Sequence, residues 1–302
     1  MNILVLIFAT AIWGFGFVAT RWTLTDFDPA WSNSLRFLLA GLLSLPVLVW
    51  KKKLKISFSV TLCSFLLLVG LYLQTMSIGK TSLARSGFFT LFYAIFTPLI
   101  VRWIYGVKFR PGYWGLLFSS MVGVALIGDL NWQAFNLGDA LAMGSGFLFA
   151  CHIVAIDRLA QGANPLLFNL QQCFFIGIMS LPLSLFVSGV PDLSPLFNWE
   201  SLIPPGLWSG LIFLSLFSSI GAFSIQVYAQ QGLSAHVVSL VFLAEAVFGA
   251  LFGYIFFGEN LSLMAVLGAS VVLVSVALVP VLTRFEKVPK TSGLSSKSSH
   301  EY

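Results

Sequence analysis

One carboxylate lies in the middle of a long apolar segment. Glu245 is about ten residues into the run Ala235–Phe257, which is long enough to cross a lipid bilayer. A charged side chain at that depth costs on the order of 2.5–3.5 kcal/mol on insertion scales, so Glu245 is expected to face a polar interior instead of lipid. There it could contact a solute or exchange a proton, because desolvation favours the neutral acid. It could equally tie helices together through hydrogen bonds, and both interpretations stay open.

Other polar side chains lie in similar apolar segments. Gln74 and Gln226 could bind a solute, but we favour hydrogen bonds between helices, which are common for amides in membranes. His152 precedes Asp157 and Arg158 so closely that an interfacial position is the simpler expectation.

Two arginines lie near the ends of apolar segments. Arg36 is expected to extend its long side chain to the membrane interface. Arg85 could do the same, or it could attract a carboxylate-bearing solute. It is also the basic residue that we expect to be available to Glu245.

No pattern of residues indicates catalysis or cofactor binding. Cys63, Cys151 and Cys173 are isolated, and the three histidines form no zinc motif. The sequence has no serine-hydrolase elbow and no phosphate-binding loop. We therefore expect no catalytic residue, no metal and no cofactor, and transport driven by ATP hydrolysis is excluded for this chain alone.

The composition predicts an all-α integral membrane protein. The chain is 58% hydrophobic and 9% charged, with a mean hydropathy of +0.94. Spans of this apolar character must be helical, since lipid offers no hydrogen bonds to the backbone. We predict ten, at Ile3–Thr20, Ser32–Trp50, Ser57–Ile78, Leu83–Tyr105, Gly112–Gly128, Gly138–Ile156, Pro165–Val187, Pro205–Tyr228, Ala235–Phe257 and Leu261–Leu282.

The basic residues predict how the chain is oriented. With both termini in the cytoplasm, twelve of the 16 basic residues fall on the cytoplasmic side. They are Lys51, Lys52, Lys53, Lys55, Arg102, Lys108, Arg110, Arg158, Arg284, Lys287, Lys290 and Lys297. The net charge of +5 thus reflects topology and does not indicate nucleic-acid binding. The expected location is the inner or plasma membrane, with the lipid bilayer as a partner and a disordered cytoplasmic tail over 283–302.

The second half of the chain repeats the first. Pro29, Asn33 and Gly41 recur 136 positions later as Pro165, Asn169 and Gly177. Further on the offset is 152, and it relates Gln74 to Gln226, Leu91 to Leu243, Tyr93 to Glu245 and Gly106 to Gly258. The 16 extra residues fall near the proline-rich stretch Gly189–Pro205. Because each repeat has five spans, the two must be inverted relative to one another, as in many secondary transporters. We predict the repeats over 3–128 and 138–282.

Several short segments carry a family resemblance. They are Ala11–Gly14, Leu35–Phe37, Thr81–Ala84 with Pro98, Leu243–Ala246 and Phe257–Leu261. In this order and spacing the chain resembles the EamA-type members of the drug/metabolite transporter superfamily, over about Ile3 to Val281. It departs at Ala246, where the family often has proline after the glutamate, so a kink there stays open.

The resemblance implies a carrier with a central cavity lined mainly by spans 1, 3, 4, 6, 8 and 9. The residues expected to bind solute are Trp13, Tyr72, Gln74, Arg85, Phe92, Tyr93, Gln226, Tyr228 and Glu245. A stripe such as Phe88, Phe92 and Phe96 is more typical of packing.

The predicted function is export or exchange of a small organic metabolite, amino-acid-like or drug-like, by alternating access. Proton coupling and a monomer or homodimer are expected. Uptake is the alternative, and a membrane enzyme or scaffold is less favoured.

Overall fold

The computed structural model describes residues 2–128 and 135–283, and within these ranges the chain forms ten apolar spans. Nine are long and apolar enough to cross a membrane, and the tenth, Pro111–Ile127, is slightly shorter. Spans 1 to 5 are Asn2–Thr23, Pro29–Trp50, Phe58–Ile78, Leu83–Thr90 continued by Tyr93–Tyr105, and Pro111–Ile127. Spans 6 to 10 are Leu137–Leu159, Pro165–Ser188, Leu207–Gln230, Ala235–Phe242 continued by Ala244–Phe257, and Leu263–Thr283. The predicted all-α fold with ten spans is confirmed.

Equivalent residues begin spans 2 and 7. The side chain of Asp28 accepts hydrogen bonds from the backbone N–H groups of Ala30 and Trp31, at 2.8 and 3.3 Å. Asn164, which is 136 positions later, accepts one from the N–H of Leu167 at 3.0 Å. In both spans a proline follows the capping residue and occupies a first-turn position, where no N–H is needed.

Equivalent glycines end spans 4 and 9. Gly106 and Gly258 have φ angles of 66° and 65°, in the left-handed region that glycine adopts without steric cost. The N–H of Gly106 bonds to the carbonyl of Arg102 at 2.9 Å, and that of Gly258 bonds to Tyr254 at 3.2 Å. Both pairs of termini follow from the repeat in the sequence.

The ten spans pack in a pattern that is the same for both repeats. Span 2 packs along span 7, span 5 along span 10, and span 4 against span 9, so each of these spans meets its own counterpart. The remaining large contacts occur as equivalent pairs: span 3 on span 6 corresponds to span 8 on span 1, and span 4 on span 6 corresponds to span 9 on span 1. This is the pattern that a two-fold axis between inverted repeats produces.

Glycines allow the closest of these contacts. A Cβ atom added at Gly177 would lie 2.7 Å from the carbonyl oxygen of Phe37, and one at Gly41 would lie 3.2 Å from the Cα atom of Phe174. Gly41 and Gly177 are equivalent positions, so spans 2 and 7 cross with backbone against backbone. In span 5, a Cβ at Gly123 would lie 2.7 Å from the carbonyl oxygen of Gly268 in span 10.

Three spans depart from regular α-helical hydrogen bonding. Span 4 is interrupted at Leu91 and Phe92, and span 9 is interrupted at Leu243, the position equivalent to Leu91. The N–H groups of Phe92 and Leu243 bond three residues back, to Phe89 and Leu240, at 3.3 Å each. The interruption of span 9 lies at Leu243, three residues before Ala246, and occurs without a proline. Within span 8, residues Phe213–Ala222 form a π-helix.

The extra residues of the second repeat form the connection between spans 7 and 8. It contains two short 3₁₀ turns, Ser194–Phe197 and Trp199–Leu202. The indole rings of Trp199 and Trp208 stack at 5.5 Å, and the indole N–H of Trp208 bonds to the carbonyl of Leu196 at 3.0 Å. Asp129, which the predicted orientation places on the outer side, and residues 284–302 of the predicted tail lie outside the described residues. Thr283, the first residue of that tail, is the last residue of span 10.

Candidate solute site

A central cavity of about 670 Å³ lies between the two repeats. Spans 1, 2, 3, 4, 6, 8 and 9 contribute its walls, which adds span 2 to the spans implied by the resemblance. Five of the predicted residues line it: Trp13, Gln74, Tyr93, Gln226 and Glu245.

Glu245 and Tyr93 meet where the two interrupted helices resume. Tyr93 is the first residue of the second part of span 4, and Glu245 is the second residue of the second part of span 9. The hydroxyl of Tyr93 donates a long hydrogen bond of 3.4 Å to Oε2 of Glu245. The carboxylate of Glu245 is half-buried and lines the cavity. Interrupted helices at the middle of a transporter are frequent places for solute and ion sites.

Arg36 is the main site residue that the sequence prediction missed. Expected at the membrane interface, it is instead only 5% exposed and lines the central cavity. Its Nε donates to the hydroxyl of Ser219 at 2.7 Å, and Nη2 donates to Ser218 at 2.8 Å. These serines lie in the π-helical part of span 8. Their hydroxyl groups accept hydrogen bonds that the guanidinium group would otherwise donate to water. Nη1 has no hydrogen-bond partner among the described residues.

Span 7 supports the same part of span 8. The amide nitrogen of Asn169 donates to the carbonyls of Ser219 and Ile220 at 2.9 Å each. The equivalent residue in span 2, Asn33, donates to Thr75 of span 3 at 2.8 Å. Asn33 and Asn169 thus make equivalent hydrogen bonds, each to the span that follows its own along the chain. The hydrogen bonds of Asn169 hold the π-helix of span 8, which carries the two serines that bind Arg36.

His152 is not an interfacial residue. It is 2% exposed, lines the cavity, and lies with Nε2 3.2 Å from Oε1 of Gln172. Gln172 is the repeat equivalent of Arg36. The prediction was wrong because the charged residues beside it, Asp157 and Arg158, lie one to two turns farther along span 6.

The two glutamines differ in their hydrogen bonds. Gln226 donates to Gln230 at 2.9 Å in the same helix, and Gln230 donates to the carbonyl of Ile153 in span 6 at 2.7 Å. The hydrogen bond between spans 8 and 6 is therefore made by Gln230, and not by Gln74 or Gln226 as predicted. The side-chain amide of Gln74 has no hydrogen-bond partner within residues 2–128 and 135–283, and it lines the cavity.

Aromatic rings form the apolar part of the wall. Trp13 packs against Phe223 and Phe242, with ring centroids 5.0 and 4.8 Å apart. The Nε1 of Trp13 is buried and has no hydrogen-bond partner in the part of the chain that the structure describes. The cavity therefore combines aromatic surface with several polar atoms that can bind a ligand.

Comparison with known proteins agrees with this architecture. The model of the EamA-like transporter family matches residues 1–128 and again residues 136–280. The chain belongs to the EamA-like transporter family. It is 26% identical over 269 residues to an uncharacterized transporter from Archaeoglobus fulgidus, covering 89% of this chain and 82% of that protein. It also shares its fold with a protein of known crystal structure, with a TM-score of 0.75, 16% identity, and coverage of 94% of this chain and 97% of the other.

Three aromatic residues that the EamA resemblance assigned to solute lie elsewhere. Tyr72 and Tyr228 each lie two positions from a glutamine of the cavity, and residues that far apart point to different sides of a helix. Tyr228 is 42% exposed on the surface of the protein. Phe92 packs among Phe88, Phe89 and Phe96, at ring distances of 5.4, 5.7 and 6.3 Å, so the aromatic stripe serves packing.

Arg85 lies near the end of the EamA-like span 4 and pairs with Asp139 of span 6. Its Nε donates to Oδ1 of Asp139 at 2.9 Å, and Nη2 forms a second contact with Oδ2. Asp139 is fully buried and also accepts a hydrogen bond from Thr81 at 3.0 Å. Arg85 is thus engaged by a carboxylate on a neighbouring span. Its predicted availability to Glu245 is corrected: Arg36, not Arg85, is the arginine that shares a cavity with Glu245.

Proposed function

We propose that this EamA-like protein is a secondary carrier that moves an amino-acid-like solute through the central cavity by alternating access, in exchange for a proton. The observation that carries this proposal is that Arg36 and Glu245, of opposite charge, line one cavity without pairing. The salt bridges formed within the described ranges involve other residues. A basic and an acidic side chain that line one cavity suit a solute that carries both an anionic and a cationic group.

Each end of such a solute has a partner in the cavity. The carboxylate would accept hydrogen bonds from Arg36, whose Nη1 is unoccupied by described groups, and from the amide of Gln74. The ammonium group would bind the carboxylate of Glu245. The aromatic wall around Trp13 and Phe223 would hold an apolar side chain of the solute. Removing a charged solute from water requires such partners at both ends, since an unpaired buried charge is expensive.

Proton coupling follows from the position of Glu245. An ammonium group and a proton compete for the same carboxylate, so binding of one favours release of the other. The carrier then changes orientation with either the solute or the proton on Glu245. This competition would produce exchange, which supports the EamA-like assignment but leaves the direction of net movement to the gradients.

The basic residues support a location in the inner or plasma membrane with both termini in the cytoplasm. Whichever way the chain is oriented, the inward proton gradient of a respiring cell would drive export of the solute in exchange for a proton. Uptake by the same site is the alternative, and it requires only that the solute gradient be the larger.

Reconstitution into liposomes tests the proposal. The purified protein is assayed with a panel of amino acids, the corresponding amides that lack the carboxylate, and the corresponding amines, with and without a pH gradient. We expect movement of zwitterionic amino acids, stimulation by the gradient, and much weaker movement of the amides and amines. Movement of amides as fast as amino acids would contradict the role of Arg36. Chemical conversion of a solute would favour an enzyme, and the absence of any movement would favour a scaffold.

A further inference from the structure

A second cavity of about 690 Å³ also reaches Glu245. It lies between spans 1, 4, 5 and 9, and shares Phe17, Thr90 and Glu245 with the central cavity. Glu245 is therefore at the junction of two cavities. The cavity is lined by residues of spans 1, 4, 5 and 9 that are far apart along the chain, so the sequence alone does not predict it.

The second cavity extends from Glu245 toward one face of the protein. At its far end are the exposed residues Ala84 and Glu259, which lie at the ends of spans 4 and 9. The carboxylate of Glu259 lies 3.7 Å from Arg21. The small residues Gly87, Gly249 and Ala250 line the walls between the two ends, and they leave room where larger side chains would close the passage.

A buried hydroxyl lies at the junction. Thr90 is 2% exposed, and its Oγ1 has no hydrogen-bond partner among the described residues. Leaving a buried hydroxyl unsatisfied costs on the order of 1–3 kcal/mol, so such a group ordinarily binds water or a ligand. Thr90 and Glu245 both line the two cavities, so a water molecule at the junction would have their oxygen atoms as polar partners.

We propose that the second cavity is the route by which protons reach Glu245, separate from the route of the solute. This rests on the proposed function, because it assigns the coupling proton of that carrier to its own path. A proton from water adds to the carboxylate of Glu245 to form the neutral acid, passing along waters held between Glu259 and Thr90. The same proton returns to water when the acid dissociates, so no other reactant is required.

The charged and titratable groups around Glu245 are consistent with this division. The central cavity presents Arg36 and His152, which lie on spans 2 and 6, and the hydroxyl of Tyr93. The second cavity presents the carboxylate of Glu259 on the segment after span 9. Glu259 pairs with Arg21, so the mouth of the second cavity carries no net charge, whereas Arg36 places a positive charge in the central cavity. A cation such as the hydronium ion is therefore disfavoured more in the central cavity than in the second. A solute bound in the central cavity would then leave the proton path open.

The test measures access of water to Glu245 without any solute. In lipid nanodiscs at acidic pH, hydrogen–deuterium exchange of the Glu245 carboxyl group is followed by infrared spectroscopy after addition of D₂O, with the band assigned by its loss in Glu245→Gln. The native cysteines Cys63, Cys151 and Cys173 are first replaced by alanine. Gly87→Cys then places a thiol in the second cavity, where an added Cβ has no neighbour within 4 Å. Thr20→Cys places one in the wall of the central cavity.

Each thiol is modified with benzyl methanethiosulfonate to fill its cavity. We expect modification of Gly87→Cys to slow carboxyl exchange about tenfold, a barrier increase of ~1.4 kcal/mol. Modification of Thr20→Cys should leave exchange within twofold of the unmodified protein. Gly115→Cys is the control, since it is an exposed span-5 position with no neighbour within 4 Å of an added Cβ.

Three results would overturn the proposal: slower exchange only after modification of Thr20→Cys, equal slowing by both modifications, or slowing by neither. None of these would bear on whether the protein carries a solute, because the liposome assay decides that separately.

Discussion

The hydroxyl of Tyr93 lies 3.4 Å from the carboxylate of Glu245, and the two residues occupy the same position in the two repeats. Their contact therefore straddles the axis that relates the repeats. Each follows an interruption in its helix, at Leu91–Phe92 and at Leu243. The interrupted helix is thus common to both repeats, whereas the side chain that follows it differs. Tyr93 is a neutral hydrogen-bond donor, and Glu245 is an ionisable acceptor. That difference gives a nearly symmetric scaffold an asymmetric chemical centre.

Replacing Glu245 should separate proton coupling from solute transport. Glu245→Gln keeps the shape and hydrogen-bonding capacity of the side chain but removes its titration. We expect the variant to fold and reach the membrane, and to lose accumulation driven by a pH gradient. Exchange of solute for solute should be retained at reduced affinity, because the ammonium group loses its counter-charge. Asp192→Asn, at an exposed loop acid, is the control and should transport normally. Gradient-driven accumulation that is unchanged in Glu245→Gln would assign the residue a structural role.

Replacing Arg36 tests which end of the solute it binds. Arg36→Gln removes the charge, and a hydrogen bond to a charged group contributes about 1.5–3 kcal/mol, so the affinity for carboxylate-bearing solutes should fall roughly 10- to 100-fold. The affinity for the corresponding amides should change little. Competition assays with both classes of solute measure this difference. Arg102→Gln, at an exposed position on span 4, is the control. An equal loss for both classes would mean that Arg36 acts only by holding Ser218 and Ser219 in place.

Enlarging a glycine at the crossing of spans 2 and 7 should destabilise the protein. In Gly177→Leu the new Cβ would lie 2.7 Å from the carbonyl oxygen of Phe37, which is backbone and cannot turn aside. Overpacking of this kind costs typically ~1–3 kcal/mol, and a backbone clash belongs at the upper end of that range. Thermal unfolding in detergent measures the loss. Gly115→Leu, where an added Cβ has no neighbour within 4 Å, should unfold like the wild type, and a similar loss in both variants would contradict the argument.

Accessibility to thiol reagents tests the predicted orientation. Ser57 precedes span 3, and Ser194 lies between spans 7 and 8, so an odd number of crossings separates them. With the native cysteines replaced, Ser57→Cys should react with an impermeant maleimide only from the cytoplasmic side, and Ser194→Cys only from the outside. Labelling of both from one side is incompatible with ten spans.

The sequence predicts most of the scaffold because apolar length and the internal repeat are local signals. The ten spans, the proline-led start of span 7 and the final glycines of spans 4 and 9 can all be predicted from single segments. Span 2 was predicted to begin at Ser32, three residues after its actual start at Pro29. Glu245 can be predicted to avoid lipid from its segment alone, since a carboxylate in an apolar run is costly wherever it points, and the structure places it in the wall of the central cavity.

The position of Arg36 in the central cavity could not be predicted from its own segment. Its partners Ser218 and Ser219 are about 180 positions away, and serines in an apolar helix usually indicate close packing and not a site for a charge. Tyr72 and Tyr228 were misplaced for another reason: knowing that a span lines the cavity does not say which side of the helix does so. The offset of 136 that relates Arg36 to Gln172 was an available signal, since it marks two polar residues at one position of both repeats.

The glycine crossing of spans 2 and 7 has a consequence for the opposite-facing state. Alternating access between inverted repeats can be described as an exchange of conformations, in which each repeat adopts the shape of the other. In this exchange the contact between spans 3 and 6 takes on the geometry of the contact between spans 8 and 1, and the reverse. The crossing at Gly41 and Gly177 is turned into itself, so its geometry is conserved while its surroundings rearrange. The contacts of span 5 with span 10 and of span 4 with span 9 also join equivalent spans and are turned into themselves in the same way. All three contacts would therefore persist in both states of the carrier.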